Sequence, residues 1–304
     1  MFLRILILVF GVYCGSTAVI MIKAKPPTLD PVLLASLRLY VAAVALAPLA
    51  VRDLRRHPGR FTRRHLLATL APGLLLAGHF TSWIIGANMT QAVNASLIVN
   101  MVPLAMPLFL FLLLRERVTR GEALATAVAV AGVAVLAAND FDTRPEHFAG
   151  DLVCFGSMLL YAFYLAFGRR NRHFPTICLY LVPLYFVAGT FCLIAAAIRV
   201  NPFRAYSLRE VLIILGLGLV PTVLGHGLVN YSMRHFRGQL VSVFNLGQFV
   251  FAGVMAYFIY TEVPRWALYV AAGLVVSGVI LALRSHVENA RPSPAPPTCS
   301  PADD

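Results

Sequence analysis

Apolar residues fall along this chain in runs of about twenty, each closed by a short polar or charged stretch. A helix rises 1.5 Å per residue, so runs of that length match roughly 30 Å of hydrocarbon. They predict ten spanning helices, over 2–22, 32–51, 66–87, 92–114, 122–138, 150–168, 176–198, 211–233, 238–260 and 265–284. A cleaved leader is the alternative for the first run, which follows Arg4. No A-x-A-like site follows it, and Tyr13 before Cys14 spoils a lipoprotein cleavage motif, so it is read as a helix.

The pattern also repeats. Residues 92–133 comprise an apolar run, a charged corner carrying Glu116 and a second run rich in small residues, and the figure returns 146 residues later at 238–279. At that offset Ser96 matches Ser242, Glu116 matches Glu262, Val130 matches Val276, and Gly132–Val133 matches Gly278–Val279. Similarity at a fixed offset decides architecture before any local reading does. Five helices per copy is an odd number, so the second copy enters the membrane upside down. The expected fold is therefore all-α integral membrane, with ten transmembrane helices as two inverted five-helix repeats. The repeats take 1–139 and 147–285, and a Pro-rich polar tail, 286–304, is expected to be disordered. Glu116 and Glu262 then lie at helix ends on opposite mouths, where gates would close.

Composition agrees with the runs: 59% of residues are hydrophobic and 12% charged, against about 25% charged in soluble domains. The net charge of +12 does not point to nucleic acid, because the arginines sit in short loops rather than along one face. Their placement sets topology instead, since basic residues favour the cytoplasmic side. The even-numbered loops hold Arg52, Arg55, Arg56, Arg60, Arg63 and Arg64, then Arg115, Arg117 and Arg120, then Arg169, Arg170 and Arg172, then Arg234 and Arg237. The loop after helix 5 is acidic; only the loop after helix 7, with Arg199, Arg204 and Arg209, runs against the scheme. Both termini are expected in the cytoplasm, in a multi-pass protein of the inner (plasma) membrane.

The segments ASLRLYVAAVAL around Arg38, HFTSWIIGANMTQAVNASLIVNMVPLAMPLF, the E-x-V-T-R-G-E corner at 116–122 and its echo around Glu262 resemble the drug/metabolite transporter superfamily. The similarity is to the ten-helix type with two EamA domains and covers roughly 2–284. It implies a secondary transporter working by alternating access, with export as the expected direction. Its cargo would be small organic metabolites such as amino acids, amines or drug-like compounds. In such families the helix 4 proline often recurs in helix 9; here Phe249 stands opposite Pro103. The competing reading is a membrane-embedded enzyme or assembly factor without transport activity. No nucleophile elbow, zinc spacing, phosphate loop or carboxylate pair supports it, so no catalytic residue, metal or cofactor is expected. The five cysteines form no CxxC or Cys/His spacing and are read as packing residues.

All 13 Asp and Glu lie in loops, helix ends or the tail. That leaves Arg38, His79 and His226 as ionisable groups within the spans. Burying an arginine costs on the order of 2.5–3.5 kcal/mol on insertion scales, so Arg38 needs compensation. It can snorkel to the outer interface, bridge carbonyls freed by a broken helix, or meet an anionic or zwitterionic cargo. His79 and Trp83 share one face of helix 3; His226 and Asn230 repeat the spacing on helix 8, and histidine is the expected seat of any proton coupling. Asn100 precedes Pro103 and Pro107, whose missing donors free the Val99 and Pro103 carbonyls. Asn245 and Gln248 add polarity in helix 9, and Tyr161 and Tyr164 in helix 6. Each of these has an alternative in ordinary interhelical hydrogen bonding, worth roughly 0.6–2 kcal/mol. Together they mark helices 1, 3, 4, 6, 8 and 9 as the pathway for a small-molecule substrate. Helices 5 and 10 carry small residues four apart, at Ala123, Ala127, Ala131 and at Gly273, Ser277. They are assigned to packing and to a homodimer interface. The expected partners are thus substrate, lipid bilayer and a second copy, with no nucleic acid.

Overall fold

A computed structural model describes residues 1–90, 92–140, 144–261, 263 and 265–290. Among them are ten helices long and apolar enough to cross a membrane, and no strand. They are α1 (Phe2–Lys23), α2 (Pro31–Arg56), α3 (Arg63–Met89), α4 (Asn94–Leu114), α5 (Arg120–Ala138), α6 (Pro145–Arg170), α7 (Ile177–Ala197), α8 (Leu208–His235), α9 (Gly238–Tyr260) and α10 (Trp266–Glu288). Each coincides with one predicted run. Local chemistry moves the ends: α2 starts at Pro31 because the Asp30 carboxylate accepts from the Val32 and Leu33 amides, with proline at the first helical position. A capping box of Ser207 and Glu210 likewise starts α8. Ten crossings return the chain to the face from which α1 starts, called here the terminal face; the opposite is the far face. Glu262 and residues 291–304 of the tail lie outside the described residues.

The repeat shows in the backbone more clearly than in residue identity. Helix α4 breaks at Met101, which caps its second segment, and α9 breaks at Gly247, which caps its second segment. These positions are 146 apart. In α4 the break is written by Pro103. In α9 there is no proline, and tight bonds from Leu246 N to Val243 O and Gly247 N to Phe244 O turn the chain instead. Phe249 in place of proline therefore does not remove the break.

Both helices also end alike. Arg115 (φ 57°) and Thr261 (φ 56°), again 146 apart, are the non-glycine residues with positive φ among the described residues. A left-handed cap costs an L-residue roughly 1–2 kcal/mol, and a β-branched threonine fits it worst. Thr261→Gly is accordingly expected to stabilise the protein by about 0.5–1 kcal/mol, less than the strain relieved because glycine gains freedom in the unfolded chain. Thermal melts in detergent check this; a lower melting temperature would count against the strain.

Helix pairing follows a pseudo-twofold axis. The pairs α2–α7 and α5–α10 are each a helix against its own counterpart, while α3–α6 and α8–α1 exchange with each other. Tyr40 stacks edge-on against Phe186, its mate at +146, with centroids 5.6 Å apart. A Cβ on Gly132 would meet the Ala271 carbonyl at 2.7 Å, and one on Gly278 would meet the Ala125 carbonyl at 2.7 Å.

The packing expected of α5 and α10 is made on a different face from the predicted stripes. Helices α5 and α10 pack on each other within the chain through buried Ala125, Ala129, Gly132, Ala271, Val275 and Gly278. The predicted stripes, Ala123, Ala127, Ala131 and Gly273, Ser277, are exposed on other faces, and nothing stands within 4 Å of a Cβ on Gly273.

Candidate transport site

The equivalent crossings α3–α6 and α8–α1 hold different contents. In the first, the His79 and Tyr161 rings stack with centroids 4.6 Å apart and planes 15° from parallel. Their mates at +146 and −146 are Gly225 and Gly15, whose backbones touch: a Cβ on Gly225 would stand 2.8 Å from Gly15 Cα. One crossing is drawn tight and the other is spread by aromatic rings, so the polar centre lies off the symmetry axis.

His79 is held firmly. Ser157 donates its hydroxyl proton to the His79 carbonyl at 2.8 Å, so the 2.9 Å bond between Ser157 Oγ and His79 Nδ1 is donated by the imidazole. This assigns the proton to Nδ1 and leaves Nε2 as the acceptor.

Arg38 is positioned by a proline on the other repeat. Pro221 cannot donate to the Leu217 carbonyl, and α8 widens into a π-helical stretch over Gly218–His226. The Thr222 hydroxyl fills the gap, donating to Leu217 O at 2.7 Å, and accepts from Arg38 Nε at 3.0 Å. The guanidinium lies over the Phe80 ring, 4.6 Å from its centroid. Arg38 is 4% exposed, so it does not snorkel, and its hydrogen bond goes to a hydroxyl rather than to freed carbonyls. Its Nη2 is buried with no hydrogen-bond partner among the described residues. A pocket of about 30 Å³ opens beside it toward the far face, lined also by Trp83, whose Nε1 is buried with no hydrogen-bond partner among the described residues.

The His226 ring faces Phe80, Tyr161 and Tyr164 with centroids 5.6, 5.7 and 6.4 Å away, and its Nδ1 is buried with no hydrogen-bond partner among the described residues. Asn230 donates to the Tyr164 hydroxyl at 2.6 Å and to the His226 carbonyl at 2.8 Å. Gln248 donates to Asn245 Oδ1 at 2.5 Å, and both face the Tyr161 hydroxyl. Arg38, His79, Trp83, Tyr161, Tyr164, His226, Asn230, Asn245 and Gln248 thus gather around the α3–α6 crossing.

Two predicted features do not join them. Asn100 spends its amide on the Ser96 carbonyl of its own helix, 2.8 Å away. The Pro103 carbonyl, freed by Pro107, is not open to a cavity: Gln239 of α9 donates to it at 3.0 Å and to Thr126 of α5 at 2.7 Å. The carbonyl that Pro107 frees is thus capped by the other repeat.

At the terminal face Glu116 receives Arg169 Nε at 3.2 Å from the end of α6 and the Gly238 amide at 3.3 Å from the start of α9. Arg237 stands 4.0 Å from Glu116 and bridges on to Glu122, which is 1% exposed. Glu122 also accepts from the Thr119 amide at 2.9 Å. The α4–α5 corner of one repeat is thereby tied to two segments of the other. At the far face two of the three arginines that ran against the charge rule are paired with acids locally. Arg199 pairs with Asp30 (3.5 Å), Arg204 with Glu210 (2.6 Å), and Arg209 donates to Ala24 O (2.9 Å). The hydrogen bond to Glu210 holds Arg204 above its ordinary pKa.

Sequence reasoning missed Arg169, Arg237 and Glu122 as a cluster, and Thr222, Phe80 and Gln239 as partners. One signal was available: Arg169 falls 146 residues after Lys23, so both copies carry a cation at that position.

Two inverted five-helix repeats, closed by charge at one face and enclosing a polar centre, define a membrane transporter rather than an enzyme. The sequence profile of the EamA-like transporter family matches residues 2–138 and again 148–284, and the chain belongs to that family, within the drug/metabolite transporter superfamily. It is 26% identical over 251 residues to an uncharacterized transporter of Archaeoglobus fulgidus, covering 82% of this chain and 85% of that protein. A solved structure described as the crystal structure of a protein superposes with a TM-score of 0.78, at 18% identity, over 95% of this chain and 99% of the other. That likeness speaks to the fold.

Proposed function

We propose that the protein is a secondary carrier of small organic metabolites, exporting them by alternating access from the cytoplasm across the plasma membrane. The terminal face, with its arginine-rich loops, is the cytoplasmic side. The observation that carries this reading is the cross-repeat cluster of Glu116, Arg169, Arg237 and Glu122, which closes one mouth over an enclosed polar centre. In sequence, Glu262 and Lys23 are the mates of Glu116 and Arg169 at the repeat offset, so a charge pair is available for the opposite mouth. Rocking between the two is what such architecture supports. The site residues named above form the cargo path. The exposed stripes on α5 and α10 are where a second copy would seat, which cysteine crosslinking at Ala127 tests.

The function is tested in proteoliposomes loaded with a labelled metabolite mixture. Counterflow of at least one species through the purified protein, absent from empty liposomes, is expected. No flux of any species from a broad extract would sink the carrier reading.

A further inference from the structure

We propose that the cargo carries a carboxylate, which docks on Arg38 Nη2 and Trp83 Nε1 at the far-face end of the polar centre. The inference rests on the carrier reading for its function but on separate atoms for its chemistry. Arg38 is a buried cation whose partners are a hydroxyl and an aromatic face, with one side of its guanidinium fork unused. A charge so placed is costly unless an anion completes it. The described residues do not supply one. The acids nearest along α2 and α8, Asp30 and Glu210, are already spent on helix caps and on Arg199 and Arg204. No ion pair to Arg38 occurs among the described residues.

The space beside the fork has matching character. Its lining includes two cations, Arg38 and Lys25, and no acid, and Lys25 sits at the mouth with its ammonium on the Leu29 carbonyl. A pocket walled by apolar groups with one sign of charge concentrates the opposite ion. At about 30 Å³ it admits one or two water-sized groups, the scale of a carboxylate and not of a whole metabolite. Two unpartnered N–H donors, one charged, on side chains lining the same pocket suit the two oxygens of a carboxylate. The remainder of the cargo would lie against Phe80 and, as the helices part, against the rings of Tyr161 and His226, which favours an apolar or aromatic body. A cationic amine without an acid group meets Arg38 as like charge and is excluded.

A matched series tests this on the full-length protein: an amino acid, the acid lacking its amine and the amine lacking its acid, each with aromatic and aliphatic bodies. Ligand-induced stabilisation in detergent and flux in proteoliposomes are read together. Both carboxylate compounds of at least one body are expected to stabilise the protein and the amine is not. Arg38→Gln should weaken that binding at least tenfold, and Arg38→Lys less. Trp83→Phe, which keeps the ring and the fold, should weaken it several-fold while leaving the unliganded melting temperature in place. Binding of the amine as tightly as its acid, binding of no carboxylate, or unchanged affinity in Arg38→Gln and Trp83→Phe would overturn the assignment. Carboxylate binding without flux would leave the site standing and fail the carrier reading; flux of amines alone would do the reverse.

Discussion

Glu116→Gln protein is expected to melt well below the parent, by the equivalent of about 2–3 kcal/mol, and Arg169→Gln by a similar amount. The Glu116 and Arg169 side chains are 13% and 10% exposed, so removing either charge strands the other in a largely dry setting. The Met233 carbonyl still accepts from Arg169 Nη1 at 3.2 Å, which keeps the loss below that of a fully buried pair. The double variant should cost little more than either single one, giving a coupling of about 1–3 kcal/mol. A thermal-melt cycle over the four proteins measures this, and strictly additive losses would show that the pair is not a lock. The same weakening should raise the share of molecules open to the cytoplasm, since each 1.4 kcal/mol shifts a two-state balance tenfold.

Gly278→Ala should separate α5 from α10, at a cost of about 1–3 kcal/mol in a core with no slack. The new methyl would stand 2.6 Å from Ala129 Cβ and 2.7 Å from the Ala125 carbonyl, so backbone has to move. Gly273→Ala is the control on the same helix: nothing lies within 4 Å of its Cβ position, and helix propensity alone should make it neutral or slightly stabilising. Parallel melts decide. Equal behaviour of the two variants would mean that the close approach is not what holds the pair.

The ten spans and the inversion were legible because each is written by many residues at once: apolar runs of membrane length, and corner and glycine positions kept at one offset. The packing face of α5 was not. Alanine recurs there at 123, 125, 127, 129 and 131, so small residues spaced by four lie on two faces and spacing alone cannot choose between them. Arg38, His79 and His226 stood out because a charged or titratable group within an apolar run is expensive wherever it points. Thr222 was invisible for the opposite reason. A threonine in a helix is ordinary, and its role follows from Pro221 one residue earlier withholding a donor from Leu217. Arg169 and Arg237 were read as loop charges because the topology rule weighs every arginine near a helix end alike. Their burial depends on the approach of the other repeat, which no local pattern records. The Pro103 carbonyl looked available for the same reason, since Gln239 lies 136 residues further along the chain, whereas Asn100 is occupied locally by the Ser96 carbonyl.

The contacts of Gly132 with Ala271 and of Gly278 with Ala125 are one contact written twice. Both glycines and both alanines are mates at the repeat offset, and both approaches measure 2.7 Å. Such reciprocity is the mark of an isologous interface between identical subunits. A five-helix ancestor present in both orientations would have met its inverted copy here, and any change in its single gene would have struck both sides together. Joining the two copies in one chain would release that constraint. Each side could then change alone, so that His79 and Tyr161 occupy one crossing while Gly225 and Gly15 hold the other, and a symmetric shell came to enclose a one-sided site.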